Sequence, residues 1–93
     1  MLRDSPHLSV ILDSFRRYQQ GELSIADLEL NLGAVMTAME GDVPKDIRDA
    51  VFDAETQVDS IRFMVPESRQ SEEIGELFRE LEAIIARHDP PHG

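Results

Sequence analysis

Apolar residues return every three or four positions along almost the whole chain, the spacing of helices that each bury one face. In residues 5–21, Leu8, Ile11, Leu12, Phe15 and Tyr18 share a face. Ser5 and Pro6 offer a cap and a first-turn proline, and Gly21 a stop. A second helix is expected to start at Ser24, whose hydroxyl can take the amide of Asp27 while Leu23 folds over Leu28 as a hydrophobic staple. Its inner face holds Ile25, Leu28, Leu32, Val35, Met36 and Met39, and it ends at Gly41.

Asp42, Val43 and Pro44 open a third helix, in which Ile47, Val51, Ala54, Val58, Ile61 and Val65 recur at the 4-3 spacing of a packed seam. Pro66 ends it. The polar residues ESRQ, 67–70, read as a turn, and Ser71 as the cap of a fourth helix with Ile74, Leu77, Phe78, Leu81, Ile84 and Ile85 inside. His88 would sit near the negative end of that helix.

No segment alternates with the period of a strand. Four amphipathic helices joined by connections of about two to six residues predict an all-α antiparallel up-down four-helix bundle. The domain is expected to be single, over residues 1–93, with a frayed tail at 89–93. Gly33 and Gly75 interrupt helical patterns, and close contact with another helix is the expected reason for each.

Composition narrows what such a bundle does. A chain of 93 residues buries about 60 to 65% of its unfolded surface, so its core must be well used. The hydrophobic fraction of 41% suits a folded domain, whereas 5% aromatic residues and no Trp supply no stacking platform for bases. Nineteen Asp and Glu against nine Lys and Arg give a net charge of −10. Arg16-Arg17 is the only adjacent basic pair, so nucleic acid and anionic membrane are both poor direct partners. A basic protein surface is the complementary one. Without Cys there is no disulfide, thiolate metal site or Cys nucleophile. The opening residues lack the length and cleavage site of a secretory signal, and the cytoplasm is the expected location.

Metal binding is the first candidate chemistry. Glu72, Glu76 and Glu80 recur every four residues beside Glu73, but no Glu-x-x-His, HExxH or EF-hand spacing accompanies them. They read as a solvated face. Met36, Met39 and Met64 read as gap-filling core. Ser24 is explained by capping, Ser60 lacks a nucleophile signature and no Gly-rich phosphate loop occurs, so neither enzyme activity nor a cofactor or metal is expected.

The most ordered polar feature is DVPKDIRDAVFD, residues 42–53, which places Asp42, Asp46, Asp49 and Asp53 on one strip of the third helix. At about 100° per residue this strip, with Ser60, lies nearly opposite the apolar seam. Three like-charged neighbour pairs cost about 0.2 to 0.5 kcal/mol each. Asp42 and Asp46 regain about 0.3 to 1 kcal/mol apiece from the helix N-terminus, and a Lys45–Asp49 pair helps. Asp53 is too deep in the helix to gain from the dipole. Carboxylates stepping along the axis by about 4.5 to 6 Å suit cations that otherwise grip phosphates, and Asp42, Asp46, Asp49 and Asp53 are the candidate partner-binding residues.

FRRYQQGELSIADLELNLGAVM, then a helix ending in VDSIRFMVP, then GELFRELEAII, resembles small bacterial immunity proteins, in particular the colicin D immunity-like group. Gly21, Leu23, Ser24 and the third and fourth helices stand in the matching places. The resemblance implies an acidic helical bundle that blocks the active site or substrate channel of a cognate toxin, often a nuclease acting on tRNA. The four aspartates follow from their spacing and not from the resemblance. The reading is a non-enzymatic immunity-type inhibitor of a bacterial toxin. The alternative is a helical adaptor or small regulatory subunit, which exposure of Phe52 and Phe63 would favour. Sequence leaves the oligomeric state open.

Overall fold

The computed structural model describes residues 6–39 and 43–88. The expected cap Ser5, the helix end Gly41, Asp42 and the tail 89–93 lie outside the described residues. Four helices make up the fold: α1 (Pro6–Gln19), α2 (Ile25–Ala38), α3 (Lys45–Met64) and α4 (Glu67–His88). Among the described residues no strand occurs, and the protein is an all-α four-helix bundle.

Local signals place three of the boundaries. Gly21 adopts φ +81°, which an L side chain resists, so the chain leaves α1 there. Ser24 then accepts the Asp27 amide at 3.1 Å, as a cap of α2. Pro44 precedes α3 without a side-chain cap, and its carbonyl accepts the amides of Ile47 and Arg48 at 3.1 Å each.

The start of α4 differs from expectation. Residues 67–70 form its first turn, with Arg69 N donating to Pro66 O at 2.8 Å, so Val65 and Pro66 alone connect α3 to α4. ESRQ looks like a turn because it carries no apolar residue; a first turn that projects past the core needs none. Gln70 makes the sharp connection workable, its amide donating to the carbonyls of Val65 at 3.1 Å and Arg62 at 3.3 Å, close to the end of α3.

Packing follows a ring. Helix α1 contacts α2 and α4, and α3 contacts α2 and α4; among the described residues neither diagonal pair packs. Asp46, in the first turn of α3, meets His88 at the end of α4, and Arg62, near the end of α3, reaches Glu29 near the start of α2 at 2.9 Å. These are contacts that an up-down course would make.

The shared core contains Leu8, Ile11 and Phe15 of α1, Leu28 and Leu32 of α2, Ile47, Val51 and Val58 of α3, and Ile74, Leu81 and Ile85 of α4. Phe15 stacks on Phe78 with ring centroids 5.1 Å apart, tying α1 to α4. Ser14, buried between α1 and α2, donates to Val10 O at 2.8 Å and accepts from Asn31 Nδ2 at 3.3 Å, which leaves its hydroxyl satisfied.

Two side-chain expectations fail. Met64 is 79% exposed and not core, because it sits in the last turn of α3, off the seam, just before the chain turns at Val65 and Pro66. Gly33 has no close helix neighbour: a Cβ built there meets nothing within 4 Å. Gly75 does have a near contact, Gln19 Nε2 at 3.3 Å from such a Cβ.

Candidate functional site

The 4-3 apolar repeat of α3 is narrow, and burial of Ile47, Val51, Ala54 and Val58 fixes how the helix is rotated against its neighbours. With that rotation Asp46, Asp49, Asp53 and Ser60 are all exposed, as their spacing predicts. They do not simply face away from the bundle, however. Asp46, Asp49 and Asp53 line one edge of a groove between α3 and α4, with Glu80 in the wall and Ala50, Ala54, Leu77, Leu81 and Ile84 among its apolar lining. This depression has a volume of about 300 Å³.

It continues into a second depression of about 170 Å³, which shares Gln57, Leu77 and Glu80 and adds Ser60, Ile61, Glu73 and Glu76. The groove as a whole therefore carries Asp46, Asp49 and Asp53 from α3 and Glu73, Glu76 and Glu80 from α4, with no Lys or Arg among its lining residues. The glutamates read from sequence as a plain solvated face form its second bank. A signal for them exists in the sequence, since Glu73, Glu76 and Glu80 share the 3-4 spacing of the neighbouring core positions. Which neighbouring helix they would meet is a matter of packing.

The carboxylates do different jobs. Asp46 takes part in holding the helices together: its Oδ2 contacts His88 Nε2, and its Oδ1 accepts the Ile47 amide at 3.1 Å. Asp49 and Asp53 have no side-chain partner among the described residues, and the expected Lys45–Asp49 ion pair does not form. Asp42 is outside the described residues. No group of His, Asp and Glu among the described residues is arranged to hold a metal ion.

Such a groove accepts side chains with an apolar stem and a cationic head. Lys and Arg lay their methylenes along apolar surface and extend the charged end to an acidic partner. Here the stems would lie over Ala50, Ala54, Leu77 and Leu81, and the heads would reach carboxylates on either bank. General acid–base work needs a carboxyl enclosed away from water, and apart from the half-buried Glu73 the six are exposed.

A second polar cluster lies across the bundle between α2 and α3. The Glu29 carboxyl is held above its ordinary range, first by a hydrogen bond with Asp59 and then by burial, while Arg62 pulls in the opposite direction. The Arg62 guanidinium also lies 5.0 Å from the centroid of the Phe63 ring. Phe52 and Phe63 are 57% and 71% exposed, which meets the condition that favours an apolar docking role. No family model, curated protein or solved structure matches this chain.

Proposed function

We propose that this chain is a non-catalytic inhibitor of immunity type, whose α3–α4 groove seats a basic segment of a bacterial toxin and so occludes its active site or substrate channel. The observation that carries the reading is the pair of acidic banks, free of Lys and Arg, around an apolar floor. A toxin surface that grips phosphates supplies the matching cations, which makes a nuclease the best-suited class. The resemblance to immunity proteins points the same way. Inhibition would be steric, with charge setting the speed of encounter and the register of docking.

The test pairs two variants of equal charge change. Asp49→Asn, Asp53→Asn and Glu80→Gln together remove three groove carboxylates and spare Asp46, which also contacts His88. Glu22→Gln, Asp27→Asn and Glu72→Gln remove three exposed ones that do not line the groove. The probe is a bacterial toxin whose growth arrest the wild-type chain relieves, sought first among the products of neighbouring genes. Wild type and the second variant should relieve its growth arrest, and the groove variant should bind it on the order of 100-fold more weakly, as loss of close charge pairs implies. Equal losses in both variants, or none in either, would exclude the groove as the site.

A second reading, the helical adaptor or small regulatory subunit, is favoured by exposed Phe52 and Phe63, which do not line the acidic groove. Partner binding that ignores salt, survives in the groove variant and is lost on Phe63→Asp would establish it instead.

A further inference from the structure

The α2–α3 face has properties that the acidic groove does not explain. Ala26, Leu30, Gly33, Ala34 and Thr37 of α2 line a groove of about 530 Å³ together with Glu29, Glu55 and Arg62. Thr37 also lines an adjoining depression of about 420 Å³ with Met36, Lys45, Arg48, Asp49 and Phe52. Leu30, Phe52 and Phe63 are all large, apolar and more than half exposed. Gly33 weakens α2 relative to Ala, and among the described residues nothing occupies the space that it leaves. A close approach from outside would use that space.

Charge identifies the visitor. The end near the start of α2 has Glu29, Glu55 and the adjoining exposed Asp59 against Arg62, two negative charges in excess. The other end has Lys45 and Arg48 against Asp49, one positive charge in excess. In a chain of net charge −10 this face carries only one net negative charge and is opposite in sign at its two ends, so it is complementary to itself when turned end for end. A two-fold axis does that. We propose that the protein forms a symmetric dimer through this face, α2 crossing its counterpart close to Gly33 and Ala34. Phe52 of one copy then covers Leu30 and Phe63 of the other, and the basic end of the face in each copy meets the acidic end of the other.

The size is adequate. Lys45 to Phe63 is 19 residues, about 27 Å of helix from first to last, and two helices are about 20 Å wide. That footprint of about 540 Å², before side-chain relief is added, approaches the roughly 800 Å² per partner of an ordinary specific interface. The α3–α4 groove shares Asp49 with this face but otherwise lies on the other flank of α3, so the dimer presents two acidic grooves. The inference stands whether or not those grooves bind a toxin.

Sedimentation equilibrium over 2 to 200 µM tests it, with helical circular dichroism as the check on folding. Wild type should pass from monomer to dimer within that range. Gly33→Arg replaces a poor helix former at an open position, so the monomer stays folded while the crossing is blocked; dimerisation should weaken at least tenfold. Lys45→Glu, which reverses the sign of the basic end, should weaken it as well. A wild type that stays monomeric at 200 µM, a dimer indifferent to Gly33→Arg, or one indifferent to Lys45→Glu would overturn the proposal.

Discussion

Glu29 is the residue whose titration is most informative. Its carboxyl shares a hydrogen bond with Asp59, is half-buried, and is approached by Arg62 at 2.9 Å; the first two influences prevail and raise its pKa. A pKa raised in the folded state means that protonation favours folding. The contribution is therefore complete below the unfolded value and is lost as pH rises through the folded one. At neutral pH, Glu29 and Asp59 repel. Asp59→Asn should lower the Glu29 titration midpoint followed by carboxyl NMR, because the largest of the influences that raise it is removed. It should also change Tm more favourably at pH 7 than at pH 4, where the shared hydrogen bond is lost. A midpoint unmoved by the substitution would show that burial alone raises it.

At the scale of one helix, α3 organises the molecule, since its inner face packs on both α2 and α4. Val51 is fully buried in the middle of that face. Val51→Asp places a charge there without a partner, at a cost of several kcal/mol, comparable with the whole stability of a domain of this size. The variant should lose its cooperative thermal transition by circular dichroism; a soluble variant with wild-type Tm would contradict the assigned seam. The rotation set by Val51 and its neighbours is also what brings the aspartates to the groove. Had the seam lain two residues further along, Asp49 and Asp53 would themselves have stood on it.

For the whole molecule, the net charge of −10 acts in two opposite directions. Like charges crowd both banks of the α3–α4 groove, and self-repulsion of this kind is screened by salt. Raising NaCl from 10 to 300 mM should therefore increase the Tm of the free protein by several degrees while weakening its complex with a basic partner. Calorimetry and binding titrations at matched salt would check the pair of outcomes. A Tm that falls with salt would mean that attractive pairs, such as Arg62–Glu29 and Arg17–Asp13, outweigh the repulsion.

What the sequence determines by itself is what depends on residues close together along the chain. The period of apolar positions set the four helices and nearly all the buried side chains; Ser24 set the start of α2, and the 4-3-4 aspartate spacing set a common exposed strip. The first turn of α4 was hidden only because capping by Gln70 acts backwards across Pro66, and Met64 was misplaced because burial at a helix end depends on what lies above it. The partner of the aspartate strip was out of reach for a more general reason. Glu73, Glu76 and Glu80 lie at least 20 residues further along, and only packing of α4 on α3 brings them to the opposite bank. The same holds for the α2–α3 face, where the vacancy at Gly33 and the opposite charges at the two ends exist only once the helices are side by side. Helical period is a local property of the chain, whereas a groove belongs to two surfaces and needs their relative rotation, which only the tertiary structure decided.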